Sequence, residues 1–366
     1  MPFNVLHVDS EYGWRGGQQQ LAYLATAMNK RRDRGVVVCQ PDSHMMRFCH
    51  TNQIMCYPIR MHGELDLLAA FKIAQLAKRG KINILHLHSG HAVTLGLWAR
   101  LFNAKLRLIA TRRVDFRLRN RSFSRLKYKN PWLSKIVCVS DEIGRVMRSD
   151  GVDGQRLVTI YSGVDLLKYS HSIPSRDFKV RWGISDKAFI LVTIAAMVGH
   201  KDYPTLLKTA RLVLDKRPHI VFMAVGDGPL EKEIRMLADK LNLGQRFIFC
   251  GYQDNIGDFL KNFDLFVLSS NQEGLGTSIL DAQAAGIPVA ACAAGGIPEM
   301  IQDDVNGRLV PKETPAALAQ TIITLADDAD QRQRLVQAAL KSVADFSIEK
   351  TVRKYIGLYE SVLERV

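Results

Sequence analysis

Leu265-Phe266-Val267-Leu268-Ser269-Ser270-Asn271-Gln272-Glu273-Gly274-Leu275-Gly276-Thr277-Ser278-Ile279-Leu280-Asp281 reads as a strand, a loop and the start of a helix. The apolar run at residues 265–269 has the length and composition of a buried strand. The loop after it carries one carboxylate and two glycines, and Thr277 is a good residue to open a helix. A buried strand feeding into a helix is the repeating unit of an α/β fold with a parallel sheet. The turn also has a chemistry. Glu273 falls at the mouth of the loop, Asp281 lies about one turn into the helix, and the free amides of Gly276, Thr277 and Ser278 point between them. A helix N-terminus of this kind favours an anion such as a diphosphate. The carboxylates suit a hydroxyl-rich ligand, Glu273 facing sugar hydroxyls and Asp281 a ribose diol. A capped turn with two surface acids is the plainer alternative.

Working outward, strands at 189–195, 220–225, 247–250, 289–291 and 307–310 alternate with helices at 203–214, 231–241 and 256–262. The first half repeats the pattern. Its strands are expected at 3–8, 36–39, 54–59, 82–88, 106–111, 136–140 and 157–161, and its helices at 18–28, 65–78 and 92–102. A polar, punctuated stretch over 169–186 separates the two series. Two successive open α/β sheets follow, with domains expected at 1–168 and 169–347. Ligands of such sheets bind at the carboxyl ends of the strands, so two sheets facing each other put a site in the cleft between them.

Composition bounds the function. The 366 residues are comfortable for two domains, and 47% hydrophobic with 23% charged residues is ordinary for a globular protein. No apolar run approaches the roughly 20 residues of a membrane span, and the N-terminus lacks a signal-peptide pattern. Six scattered cysteines without a CxxC pair are expected to be reduced core thiols of a cytoplasmic protein. The net charge of +14 is uneven: residues 1–170 hold 27 Lys and Arg against 12 Asp and Glu, a net of +15, and the rest is near neutral. The first half is therefore expected to meet something anionic, or to use its charge for solubility alone.

Other candidates are individually weaker. Gly295-Gly296-Ile297-Pro298-Glu299 combines paired glycines with a proline suited to a first helical turn; Glu299 fits a ligand role and a helix-dipole role equally. Lys201, between a strand and a helix, could neutralise a diphosphate leaving group, although a lone loop lysine is usually a solvated one. Gly16 and Gly17 close the loop after the first strand, a weak hint of donor phosphate binding beside the commoner reading of a tight turn. The full G-x-G-x-x-G fingerprint is absent there, which argues against a nicotinamide cofactor. His86, His88 and His91 cluster, with His86 and His88 on one strand face. They lack an acidic or cysteine partner at ligand spacing, so no metal is expected, and His91 is the best placed for sugar binding or acid–base work. The run from Arg112 to Lys129 has eight cations and one acid in eighteen residues. Arg112, Arg113, Arg117, Arg119 and Arg121 fit a phosphorylated acceptor or an anionic membrane surface. RNA is a weaker fit because no aromatic RNA-binding signature accompanies the charge, and no nucleic-acid partner is expected.

Taken together, the order and spacing of these segments resemble the GT4-type glycosyltransferases of the GT-B fold, nearly end to end. The likeness rests on Gly16-Gly17, Tyr161-Ser162-Gly163-Val164-Asp165, His200-Lys201-Asp202-Tyr203-Pro204, Gly226-Asp227-Gly228-Pro229, Glu273 to Asp281, Gly295 to Glu299, and Phe346-Ser347-Ile348-Glu349-Lys350. The resemblance implies two Rossmann-like domains and a C-terminal helix, 348–366, that crosses back to the first. It implies a nucleotide-diphosphate sugar, UDP- or GDP-linked, as co-substrate in the second domain, with Asp281 at the ribose, Glu273 near the sugar and Lys201 at the diphosphate. It implies an acceptor on the first domain, transfer with retention, and no essential metal or other cofactor. An anionic glycolipid, lipopolysaccharide-core or polysaccharide acceptor, and a peripheral position on the inner face of the cytoplasmic membrane, would agree with the basic first half. Three positions depart from the pattern: Asp281 stands for the second Glu, Ala196 for an Arg before Lys201, and Arg113 for a His near the donor sugar. A nucleotide-sugar epimerase of the same fold and a non-catalytic binder of anionic ligands are the competing readings.

Overall fold

The computed structural model describes residues 4–31, 34–118, 122–253 and 255–364. The chain divides into two compact units, Met1–Ser162 with Ile348–Val366, and Gly163–Ser347. In the first unit, strands β1 (Asn4–Val8), β2 (Arg34–Cys39), β3 (Cys56–Pro58), β4 (Ile84–Leu87), β5 (Arg107–Arg112), β6 (Leu133–Cys138) and β7 (Leu157–Thr159) form one sheet in the order β3-β2-β1-β4-β5-β6-β7. Every pairing is parallel. The connecting helices are α1 (Gly16–Lys30), α2 (His44–Thr51), α3 (Leu67–Arg79), α4 (Gly90–Phe102), α5 (Ser122–Lys129) and α6 (Asp141–Ser149).

The second unit repeats the plan. After the short helices α7 (Leu166–Ser170) and α8 (Phe178–Arg181) come β8 (Phe189–Ile194), α9 (Tyr203–Lys216), β9 (Ile220–Val225), α10 (Glu231–Lys240), β10 (Phe247–Gly251), α11 (Ile256–Leu260), β11 (Leu265–Leu268), α12 (Thr277–Ala284), β12 (Val289–Cys292), β13 (Arg308–Val310), α13 (Pro315–Asp327) and α14 (Ala329–Ser342). The sheet order is β10-β9-β8-β11-β12-β13, again all parallel. Both units are therefore Rossmann-like, as the alternation of apolar runs predicts.

The order of each sheet reverses direction once, between β1 and β4 in the first unit and between β8 and β11 in the second. Helices leave to opposite faces on the two sides of that reversal, which opens a crevice at the strands' carboxyl ends. The second-unit segments singled out in the sequence sit there: 195–202 follows β8 and 269–276 follows β11.

The last helix, α15 (Ile348–Glu364), returns to the first unit. Its apolar face (Val352, Tyr355, Ile356, Tyr359 and Val362) is buried against Val5, Ile84, Ile109 and Val137 of the sheet and Leu24 and Met28 of α1. The Tyr359 hydroxyl lies 2.6 Å from His86 Nδ1, inside that core.

Some elements differ from expectation. The strand expected at 136–140 lies earlier, and Ser140 instead caps α6, its Oγ accepting from the Ile143 N–H at 3.2 Å. Asp141 and Glu142 in the first turn complete an ordinary helix start. Helices α2, α13 and α14 also lie outside the expected set, and the basic segment 122–129 is helical. All six cysteines are free, five of them buried.

Tyr359→Phe removes the hydroxyl that partners a buried imidazole. It is expected to lower the free energy of unfolding by about 1–3 kcal/mol, read from a denaturant melt. A loss within error of zero would show that the contact does not hold α15.

Candidate functional site

The second unit's site is built from three loops at the carboxyl ends of β8, β11 and β12. The loop after β8 is locked to the loop after β9: Met197 N–H donates to Asp227 O at 2.8 Å, and Leu230 N–H to Met197 O at 3.1 Å. A Cβ at Gly228 would lie 2.5 Å from Met197 O, so only glycine permits this approach. The β8 loop is then tied to the β11 loop. Asn271 N–H donates to His200 O at 3.0 Å, and Ser269 Oγ to the carbonyls of Lys201 and Asp202 at 2.9 and 3.1 Å. The β11 loop in turn receives the Gly296 N–H at Glu273 O, 3.1 Å, from the loop after β12.

Within this frame Lys201 and Glu273 form an ion pair, the ammonium on Glu273 Oε2, which also accepts from Ser270 Oγ at 3.2 Å. Both side chains are largely withdrawn from solvent, 16% and 12% exposed. Gly276, at φ +90°, turns the chain into α12 through the left-handed region, and no side chain caps the helix. The first amides of α12, at Thr277 and Ser278, thus lack intrahelical partners, as at any helix start. Ile297 of the β12 loop closes on Gly276, and Glu299 is half-buried in the short 3-10 turn Ile297–Glu299. The structure therefore brings together Lys201, Glu273, Gly276, Thr277 and Ser278, with the loop bearing Glu299 beside them.

Asp281 is held differently. Its Oδ1 accepts from the Tyr169 hydroxyl at 2.7 Å. Burial pushes its pKa up, opposed by that hydrogen bond and by the charge of Lys168. Tyr169 is itself buried on α7, 112 residues away in sequence. No local pattern flags that pairing.

In the first unit Gly16 and Gly17 open α1, and the Cδ of Arg113 lies 3.2 Å from where a side chain at Gly17 would begin. Burial lowers the pKa of the Arg113 guanidinium, while Tyr355 and Asp9 favour its charge. Its Nε has no hydrogen-bond partner among the described residues. Asp9, at the end of β1, is fully buried, and the Gln18 amide reaches both its oxygens at 3.2 Å. Burial raises its pKa to about 7, against the hydrogen bond from Gln18. Ser10 and Ser89, the residues flanking the crevice after β1 and β4, bond through their hydroxyls at 2.6 Å. No local pattern singles out Asp9 or Gln18, because a lone acid at a strand end is common.

The histidines separate. His91 is exposed in the first turn of α4, whereas His86 and His88 are buried and joined by His7, its register partner on β1. One ligand atom from each of His7, His86 and His88 lies within 4.8 Å of the others. His86 is engaged on both nitrogens, by Tyr359 at 2.6 Å and Thr111 Oγ1 at 2.7 Å, and His7 Nδ1 meets His88 Nε2 at 3.1 Å. Burial lowers the pKa of all three, that of His7 to about 3, so they are neutral imidazoles of the core.

Of the basic run, Arg112 packs 5.2 Å from the Tyr128 ring and donates to Phe116 O at 2.7 Å, Arg113 turns inward, and Arg117 is exposed. Arg117 lines a surface hollow of about 90 Å³ with Arg125, Ser149 and Asp150. Arg119 and Arg121 lie outside the described residues.

Two Rossmann-like units, each with its crevice at a sheet reversal, are the architecture of the GT-B glycosyltransferases. Residues 14–167 match the family model "Glycosyltransferase Family 4" and residues 175–342 match "Glycosyl transferases group 1", so the chain is built of two glycosyltransferase family domains. It is 28% identical over 331 residues to N-acetyl-alpha-D-glucosaminyl L-malate synthase of Bacillus anthracis, covering 86% of this chain and 84% of that one. It is 26% identical over 308 residues to the UDP-Gal:alpha-D-GlcNAc-diphosphoundecaprenol alpha-1,3-galactosyltransferase of Escherichia coli, covering 80% and 79%. Among solved structures, Anabaena Alr3699/HepE in complex with UDP and glucose superposes with a TM-score of 0.86 at 20% identity, over 98% of this chain and all of that one.

The raised pKa of Asp9 has a definite sign. Between about pH 4 and 7 the native state keeps a proton that the unfolded chain has lost, so stability falls as pH rises through this window. Asp9→Asn removes that dependence. The Tm of the variant minus that of the parent is expected to become more positive from about pH 5 to pH 8. A difference independent of pH would mean Asp9 titrates normally.

Proposed function

We propose that the chain transfers a sugar from a nucleotide-diphosphate sugar, UDP- or GDP-linked, to a hydroxyl of an anionic acceptor, with retention at the anomeric carbon. The observation that carries this reading is the Lys201–Glu273 pair held beside the uncapped N-terminus of α12 at the sheet reversal of the second unit. A diphosphate is the ligand such a place favours: amides at a helix start and an ammonium both stabilise negative charge. The two family models and the donor named in the E. coli relative, UDP-Gal, support the same class of donor.

In this reading the α12 amides and Lys201 stabilise charge developing on the departing diphosphate, which is where preorganised donors contribute most. Glu273 orients Lys201 in the unliganded protein and accepts from sugar hydroxyls once the donor is bound. Asp281, poised by Tyr169, accepts from the ribose diol, and Glu299 supplements the donor contacts. Ala196 leaves one cation fewer on the second unit. The acceptor belongs to the first unit, where the positive charge is concentrated, and His91 is the exposed group best suited to its hydroxyls. The diphosphoundecaprenol acceptor of the E. coli relative supports a lipid-linked glycan of surface-polysaccharide type. A cytoplasmic location, at the inner membrane face, goes with such a substrate pair. No metal or further cofactor has a part in these steps.

A thermal-shift panel of UDP-, GDP- and ADP-sugars is expected to show one donor class raising the Tm, since a ligand selective for the folded state stabilises it. Lys201→Ala and Glu273→Ala are each expected to cost about 2–4 kcal/mol in kcat/KM, roughly 30- to 900-fold. Near-parental turnover in both variants would remove the donor assignment. Epimerisation of the donor without acceptor would replace transfer with isomerisation.

A further inference from the structure

The first unit carries an apolar surface that neither its core nor the proposed reaction uses. Leu65, Leu67, Leu68 and Phe71, at and just before the start of α3, and Leu101 and Phe102, at the end of α4, are each between 42% and 75% exposed. The Phe71 and Phe102 rings meet edge to face, 5.4 Å between centroids, which joins the two helices' apolar ends into one ledge. Helix α3 already spends one face on the core through Ala69, Ala70, Ile73, Ala74 and Ala77. The ledge is a second apolar face, of the kind that marks an interaction surface rather than a scattered leucine.

The charges around it narrow the partner. Residues 60–107 hold eight Lys and Arg and two acids. Glu64 is paired with a cation, its Oε1 accepting from Lys127 Nζ at 2.6 Å, and the Asp66 carboxylate is engaged by the N–H groups of Ala69 and His62 at 2.9 and 3.0 Å. Lys72 and Lys105, next to Phe71 and Phe102, are exposed. Arg100, the residue before Leu101, holds its guanidinium over the Trp132 ring at 5.9 Å. An apolar ledge with a cationic rim opposes a second copy of itself, whose rim has the same sign, and matches a bilayer that offers an apolar interior beneath negative headgroups. No helix among the described residues is long and apolar enough to cross a membrane, so the contact lies on the surface.

The geometry points to the α3–α4 ledge as the face on which this chain docks to an anionic lipid bilayer, with Leu68, Phe71 and Phe102 entering the interface and Lys72 and Lys105 meeting the headgroups. This is independent of which donor or acceptor the enzyme uses.

The test sediments the full chain with vesicles of phosphatidylcholine alone and with roughly a third phosphatidylglycerol, without any acceptor. Binding is expected only with the anionic vesicles and is expected to weaken with salt. The exposed pair Leu68→Ser with Phe71→Ser is expected to reduce partitioning about tenfold or more while the variant still unfolds in one cooperative transition. Lys72→Glu with Lys105→Glu is expected to reduce it similarly without removing an apolar group. Parental binding by both double variants, or no binding of the parent to anionic vesicles, overturns the proposal. So does a lipid-free dimer in light scattering that the Leu68→Ser, Phe71→Ser variant abolishes, which assigns the ledge to a second copy. Sugar transfer to a soluble acceptor, measured on the same variants, reports separately on the proposed reaction.

Discussion

The reversal of strand order between β8 and β11 is the constraint on which the candidate site depends. Parallel strands send their following helices to opposite faces on either side of such a point, leaving backbone groups and helix starts unpaired over the strand ends. The second unit converts that opening into a fixed constellation. Gly228 allows the β9 loop to press on Met197, Ser269 and Asn271 hold the β8 loop to the β11 loop, and Lys201 meets Glu273 across the join. Removing a charge from water is costly unless a partner and hydrogen bonds compensate it. Here each charge is the other's partner, and Ser270 supplies a further bond. In the proposed function a diphosphate would compete with Glu273 for Lys201, and the pair would keep the ammonium in position while no ligand is bound.

The same topology serves a different end in the first unit. Its strand ends carry Asp9, Gln18 and Arg113, and the buried histidines lie one layer below. These groups are closely packed: the histidines are neutral, and Asp9, which ionises only near pH 7, lies where its charge favours that of Arg113. The α15 helix, from the far end of the chain, closes that layer through Tyr359 and His86. The distal helix is thus part of the first unit's core, and its loss would expose the neutral histidine cluster.

Much of this was legible in the residue order. The strand–loop–helix at 265–281, the glycine pairs and the position of Lys201 identify an α/β fold and a phosphate-favouring turn, because hydrophobic period and helix-start chemistry are local signals. Helices α13 and α14 follow one another without an intervening strand, which an expectation built on alternation passes over. Ser140 ends an apolar run and so reads as strand, although it caps α6. Pairings across long sequence distances were not legible at all: Tyr169 with Asp281, Asp9 with Arg113, His7 with His88. Each depends on sheet register or on a connection that no local spacing encodes. The basic run was visible as composition, but composition does not say that Arg112 and Arg113 fold inward while the apolar ledge of α3 and α4 stays out.

In the proposed function the β8, β11 and β12 loops of the second unit grip the diphosphate of an activated sugar, and a crystal structure of the chain with UDP bound is the decisive measurement. Diphosphate oxygens are expected within about 2.7–3.2 Å of the Thr277 and Ser278 amides and of Lys201 Nζ, with the ribose at Asp281. Diphosphate bound elsewhere, with Lys201 still paired only to Glu273 and the start of α12 left to solvent, would contradict it.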